Sequence, residues 1–218
     1  MVLFVANKNY SSWSLRPWVL MRELAIPFEE RLVPFGSNFR AFSPSGLVPC
    51  LHDGPIRVWD SLAIALYLGE RHPGVWPTDP VARAWATSAA AEMHSGFTAL
   101  RSRCSMNCGI RATIDPGPVR ADLDRLSELW SASLDQFGGP FLAGPTFGAV
   151  DAFFAPVAFR IQTYGLQLDP ASLAYAARLR ALPSMSQWYR DALAETERDE
   201  RHDAESRAVS NWTEDLRA

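Results

Sequence analysis

Apolar residues run unbroken from Val2 to Ala6, a stretch of strand length, and recur at helical spacing as Leu15, Trp18, Val19, Leu20 and Leu24. The pattern predicts a strand that hands over to a helix through the turn Asn9-Tyr10-Ser11-Ser12-Trp13-Ser14. Pro17 fits a helix that begins near Ser14, because only the first turn tolerates a missing backbone donor. Ser11, Ser12 and Ser14 sit where side-chain oxygens can accept from the unpartnered N–H groups of a helix start. Phe28 to Pro34 alternates loosely and predicts a second strand. Gly36 to Gly46, rich in Ser, Gly and Pro, reads as a mobile surface element with a short irregular helix. Leu47–His52 and Pro55–Trp59 read as two strands about Asp53-Gly54, and a helix capped by Asp60 or Ser61 runs to Arg71.

The order β-α-β-α-β-β-α thus ends near His72, where His72 to Pro80 carries three prolines and reads as a connector. Beyond it the periodicity predicts helices over Val81–Met106, Val119–Phe137 and Ala149–Tyr164, and two more from Ala171 and Pro183. No repeat ties them together, so a bundle is expected. The mixed-charge run Glu195–Arg207 is expected to be a solvated helix end or a frayed tail. The fold class is therefore α/β plus all-α, with an α/β domain over residues 1–76 and a helical domain over 81–218.

Composition narrows the function. The 218 residues are 48% hydrophobic and 21% charged, an ordinary globular balance. No apolar run reaches membrane-spanning length and no basic segment precedes a cleavable apolar one, so a cytoplasmic protein without a membrane partner is expected. A formal net charge of -3 and the lack of a basic cluster argue against nucleic acid and for small-molecule ligands. Cys50, Cys104 and Cys108 are too few for a disulfide framework and show no metal spacing with His52, His72, His94 or His202. No metal is expected. Cys104 and Cys108, four apart, suit a redox pair or a soft metal site less well than buried, idle thiols. The chemistry is expected at the first strand-to-helix junction, since a helix N-terminus favours a thiolate, phosphate or carboxylate.

Several motifs resemble the cytosolic glutathione transferase superfamily. Ser11-Ser12-Trp13-Ser14-Leu15-Arg16 resembles the zeta-class motif Ser-Ser-Cys-Ser-x-Arg, whose first serine contacts the glutathione sulfur; Trp13 replaces its cysteine. Leu47-Val48-Pro49-Cys50-Leu51 resembles the element with a cis proline, and Trp59-Asp60-Ser61-Leu62-Ala63-Ile64 resembles the γ-glutamyl-binding motif. Phe141-Leu142-Ala143-Gly144 with Phe147-Gly148-Ala149-Val150-Asp151 is similar to the family's buried capping motif, with Gly148 in place of Ser or Thr. Ala91 to Arg101, followed by Met106-Asn107, resembles a bacterial subgroup that pairs this phrase with Ser-Ser-Trp-Ser-Leu-Arg-Pro.

The resemblance implies a thioredoxin-like domain followed by a helical bundle, glutathione as cosubstrate, and a homodimer acting on a small electrophile. Ser11 would be the catalytic residue and Ser12 its neighbour or understudy. The backbone of Val48, before Pro49, would pair with the cysteinyl part of glutathione, Ser61 would hold the γ-glutamyl carboxylate, and Asp60 would face its ammonium. Leu47 stands where a Gln or Lys commonly reaches the glycine carboxylate, which makes Arg40 the candidate substitute. Trp13, His94, Phe97 and Arg101 are the candidates for the second-substrate wall, the last three on one helical face. The expected activity is attack of a glutathione thiolate on an electrophile. The alternatives are a zeta-like cis-trans isomerase of the maleylacetoacetate type, with Arg16 and Arg101 as cationic groups for its substrate, and a non-enzymatic binding protein.

Overall fold

The computed structural model describes residues 1–217. Its first part is a mixed sheet of β1 (Val2–Val5), β2 (Glu29–Leu32), β3 (Cys50–Asp53) and β4 (Ile56–Trp59), in the order β2-β1-β3-β4. β2 is parallel to β1, and a parallel pair needs a crossover, which α1 (Ser12–Glu23) supplies. β3 and β4 pair antiparallel, with Leu51 opposite both Leu3 and Val58. Leu3 and Val5, on one face of β1, are buried with Leu15, Trp18 and Val19 of α1 and with Ile64 and Leu68 of α2 (Ser61–Gly69).

The connector after α2 is bound at two points. A Cβ on Gly69 would lie 2.3 Å from Cδ1 of Trp76, so the missing side chain lets that indole dock on α2, where its Nε1 donates to Ala65 O at 3.2 Å. Val75 O in turn accepts from Ala149 N at 2.8 Å.

The second part comprises α3 (Pro80–Ser95), α4 (Thr98–Arg103), α5 (Arg120–Phe137), α6 (Ala149–Tyr164), α7 (Pro170–Ala181), α8 (Pro183–Ala194) and α9 (Glu200–Val209). α6 is its axis. Every residue of α6 except Gln162 is buried, as an all-round apolar helix must be, and α1, α3 and α7 pack around it.

Three expectations need correction. The helix expected over Val81–Met106 breaks after Ser95, where Phe97 takes a left-handed φ of 52° and starts α4. The second part is also not wholly helical, because β5 (Ile110–Thr113) pairs antiparallel with β6 (Asn211–Asp215). Finally, the charged run near the C-terminus is neither frayed nor fully solvated. Asp203 of α9 is 4% exposed and accepts from Tyr10 Oη at 3.0 Å and Asn107 Nδ2 at 3.2 Å, while Arg198 clamps Asp215 through two 2.9 Å bonds. Charges that find buried partners do not need water.

The two parts lock through Lys8, whose Nζ lies 2.7 Å from both Glu30 and Asp191, and whose carbonyl accepts from Trp188 Nε1 at 2.9 Å. Among the described residues no helix is long and apolar enough to cross a membrane.

Candidate active site

The turn between β1 and α1 is held from the far side of the molecule. Asn9 Nδ2 donates to Asn107 Oδ1 (2.8 Å), Asn9 Oδ1 accepts from Gly109 N (2.7 Å), and both asparagines are buried. This clamp fixes where α1 starts, and with it the serines.

The serines do not cap the helix as expected. Ser11 occupies the cap position, yet its hydroxyl donates to Ser14 Oγ at 2.7 Å, and Ser14 Oγ accepts from Ala6 N at 3.2 Å. The two hydroxyls therefore tie the first turn of α1 back to the end of β1. A hydroxyl carries one proton, so in this arrangement Ser11 has none left for a ligand. Ser12 differs: half-buried on the wall of the cleft, its hydroxyl has no hydrogen-bond partner among the described residues. The Trp13 and Ser14 amides, likewise without an acceptor among the described residues, add to the positive end of the helix.

Tyr10 also lines the cleft but is a poor thiol activator. Its hydroxyl is given to Asp203, and burial together with that carboxylate raises its pKa above the ordinary tyrosine value.

Across from the serines, the Val48–Pro49 bond is cis, and the Val48 amide and carbonyl have no partner within the described chain. An added extended backbone could pair there. Asp60 carries a φ of 76°, uncommon for a residue with a side chain, and caps α2 by accepting from Leu62 N at 2.8 Å. Such an outlier costs on the order of 1–3 kcal/mol and persists where the surroundings over-determine it. Ser61, 1% exposed, accepts a long 3.4 Å bond from Arg16 Nη1.

These groups and the helical part enclose a cleft of about 1080 Å³. Ser11, Ser12, Val48, Pro49, Asp60 and Ser61 form one side. Trp13, Arg101, Ser105, Met106 and Arg160 form another, and His202 and Val209 of α9 close the third with Phe35 and Phe39. The structure thus brings together eight of the eleven residues expected from the sequence.

Three lie elsewhere. Arg40 is exposed on a short 3-10 helix (Phe39–Ala41), its side chain running beside Gly46 and not along the cleft wall. His94 packs edge-on against Trp13 with its Nδ1 3.6 Å from Asp60 Oδ1, beyond hydrogen-bond reach; burial, with Arg16 and Arg101 nearby, lowers its pKa. Phe97 is 6% exposed against Phe154 in the core. The single helical face that would have aligned these two with Arg101 does not exist, because the helix breaks between them.

Arg160 is the residue that the sequence pattern missed. It and Asp151 are the two charged residues of a largely apolar α6, and a lone arginine in such a run is the signal that marks it. Cys104 and Cys108 are free, buried thiols whose pKa burial pushes up, to about 11 for Cys104, which leaves them unreactive. Among the described residues no cluster of His, Cys, Asp and Glu could hold a metal ion.

A thioredoxin-like unit that offers an open hydroxyl at a helix start, an unpaired extended backbone before a cis proline, and a helical domain closing the cleft defines the class of glutathione transferases. The family model described as the Glutathione S-transferase N-terminal domain matches residues 10–71, and the one for its C-terminal domain matches residues 83–191. The chain belongs to the glutathione S-transferase family and is a glutathione-conjugating enzyme.

It is similar to Glutathione S-transferase GstB of Escherichia coli K12, 27% identical over 200 residues covering 84% of this chain and 89% of that one. A probable maleylacetoacetate isomerase of Vibrio cholerae is 27% identical over 69% of this chain and 74% of its own. Among solved structures, a glutathione transferase homolog from Burkholderia gl BGR1 with bound glutathione matches with TM-score 0.65 and 26% identity, covering 89% of this chain and 98% of that chain.

Proposed function

We propose that the chain binds glutathione along the Val48–Ser61 side of the cleft and holds its sulfur as a thiolate at the start of α1, with Ser12 as the donor. The observation that carries this reading is the contrast between the two serines: Ser11 gives its proton to Ser14, whereas Ser12 points an unengaged hydroxyl into the cleft. Ser11 supports the turn and is the alternative donor should its hydroxyl rotate. Val48, before Pro49, offers its backbone to the cysteinyl part of the tripeptide. Ser61 and the start of α2 suit the γ-glutamyl carboxylate, and Asp60 its ammonium. Glutathione bound in the Burkholderia homolog supports the ligand.

The chemistry follows in magnitude. A free thiol with pKa near 8.5 is only about 3% ionised at pH 7. A hydrogen bond to the charged sulfur, about 1.5–3 kcal/mol, lowers that pKa by about one to two units, enough to ionise much of the thiol. The proton leaves to solvent, and the thiolate attacks an electrophile placed between Trp13 and the helical wall.

Zeta-like isomerisation is the second reading. The cationic wall of the cleft and the likeness to the Vibrio cholerae protein favour it. A boundary between residues 76 and 81, a homodimer and a cytoplasmic location accompany either reading; exposed Leu66 on α2 and Val81 on α3 are apolar surface that a second copy could cover.

Titration of the protein with glutathione, followed by calorimetry and by thiolate ultraviolet absorbance, tests the reading. Saturable binding with absorbance that rises near neutral pH is the expected result. No saturable binding would overturn it and point to Leu47, 67% exposed and apolar, as the lesion.

A further inference from the structure

The cleft wall that suits the tripeptide has two ends of opposite character. At one end Ser61 and the start of α2 offer a hydroxyl and helix-start N–H groups to a carboxylate. A peptide seated there and paired along Val48 leaves by its glycine end past Leu47 and Ser45, toward Phe39 and Phe35, because the wall continues through those residues. Among the described residues this second end has its backbone donors already engaged. The Phe35 N–H donates to Asn7 Oδ1 at 2.8 Å, the Phe39 N–H to Ser37 O at 3.0 Å, the Gly46 N–H to Ser43 O at 2.9 Å and the Leu47 N–H to Ser45 Oγ at 3.2 Å. The Ser45 hydroxyl itself lies 3.1 Å from that of Ser43.

Charge at this end is cancelled within the protein. Arg40 folds beside Gly46, where an added Cβ would meet its Cγ at 3.0 Å, and does not line the cleft. His202 does line it, but its Nδ1 lies 2.9 Å from the Asp199 carboxylate, so the pair carries no net positive charge in either protonation state of the imidazole. Glu205, on the same wall, brings a carboxylate of its own, which accepts from Arg201 Nε at 2.9 Å. Arg101 and Arg160 stand with Trp13 on the second-substrate wall. What remains at the glycine end is apolar: half-buried Phe35 and Phe39, and Leu47 at 67% exposure. A single exposed leucine is ordinary. One at the mouth of a cleft, where the donors beyond it are engaged and the charges are balanced, is a surface for a neutral group.

We propose that the cosubstrate of this enzyme needs no free glycine carboxylate, and that glutathione amidated or esterified at that carboxyl serves at least as well as glutathione itself. A carboxylate beside Leu47 has to stay hydrated, whereas an amide or ester gives up little water and lays its neutral end against Leu47 and Phe39. The exposure of Leu47 leaves the way to solvent open for the added group. The proposal rests on the glutathione-thiolate reading of the same cleft and specifies the form of the thiol peptide that it takes. The reacting sulfur and its attack are unchanged.

The test compares glutathione, its glycine amide and its glycine ethyl ester on the full-length wild type, by calorimetry and by thiolate ultraviolet absorbance, and needs no electrophile. The amide is expected to match glutathione in Kd, and the ester to bind up to about tenfold more tightly, as partial burial of an ethyl group allows. Both should give thiolate absorbance that rises near neutral pH. A carboxylate held by charge-assisted hydrogen bonds would make the two derivatives about 10- to 150-fold weaker, and any preference for the free acid above about threefold overturns the proposal while the transferase reading stands. So does binding of both derivatives without thiolate absorbance when glutathione gives it. Leu47→Lys, at an exposed position, should shift the ratio of Kd values toward the free acid by about 2- to 5-fold, the size of an exposed ion pair. An unchanged ratio in that variant would put the glycine end elsewhere and overturn the proposal too. Absence of binding by glutathione and by both derivatives is a different failure, that of the reading beneath.

Discussion

Ser12→Ala is expected to lower kcat/KM for glutathione conjugation by about 10- to 150-fold, the equivalent of one hydrogen bond of about 1.5–3 kcal/mol to a charged sulfur. Glutathione affinity measured by calorimetry should change by less than about threefold, since the lost bond acts on the ionised thiol and not on the peptide backbone or carboxylates. The apparent pKa of the bound thiol, read from the pH profile of thiolate absorbance, should climb back toward about 8.5. Ser11→Ala removes the 2.7 Å bond to Ser14 but leaves Ala6 N–H on Ser14. Its expected cost is nearer the roughly 0.5–1.5 kcal/mol of a neutral hydrogen bond, or about 2- to 12-fold in rate if all of it falls on the transition state. The opposite ranking, with thiolate absorbance lost in Ser11→Ala and kept in Ser12→Ala, would mean that Ser11 releases Ser14 when glutathione binds. Both serines share a helix start, so only the pair of variants tells them apart.

How much of this was legible beforehand depends on which interaction fixed each part. The extents of β1, α1 and α6 follow from apolar period, because each buries a continuous run of side chains, whereas β2 and β4 bury no residue and the second helix of the expected order is only the 3-10 turn Phe39–Ala41, also without a buried residue. The serine pair, Val48-Pro49 and Asp60-Ser61 follow from local turn chemistry and converge on the cleft for the same reason. Arg160 and α9 follow from neither. Asp203 is buried because Tyr10 and Asn107, far away in the chain, supply its donors, and a pairing across that distance leaves no trace in periodicity. His94 and Phe97 fail for a smaller reason: Gly96 and the left-handed Phe97 end α3 early, and this two-residue break rotates every later side chain off the face that His94 occupies. The division of labour between Ser11 and Ser12 is likewise a matter of a single proton, which residue type cannot assign.

Asp151→Ala is expected to destabilise the fold by about 3–5 kcal/mol, a large part of the roughly 5–15 kcal/mol that holds a domain together. Asp151 is fully buried and organises the start of α6: it accepts from Leu142 N at 3.0 Å, from Gly148 N at 3.0 Å and from Tyr175 Oη at 2.8 Å. Only half a reciprocal capping box is present, because Gly148 has no side chain to return the bond. A Cβ there would meet Val75 O at 3.2 Å, so the connector's carbonyl occupies the room that a serine would need. Asp151 therefore carries the cap alone, and its removal strands three buried donors. Asp151→Asn should cost less, about 1–3 kcal/mol, as its oxygen can still accept while its amide faces the Gly148 N–H.

The sign of the pH dependence separates the carboxylate from its amide. Burial raises the Asp151 pKa from 3.8 to about 6 in spite of its three donors, so the folded state holds a proton that the unfolded chain has lost across that window. This contribution to stability is present below pH 4 and disappears as pH rises through about 6. Urea denaturation at pH 4.5 and pH 7.5 should thus show wild type gaining on Asp151→Asn at the lower pH. A gap that instead widens at pH 7.5 would show that the three donors outweigh burial and hold the carboxylate ionised throughout.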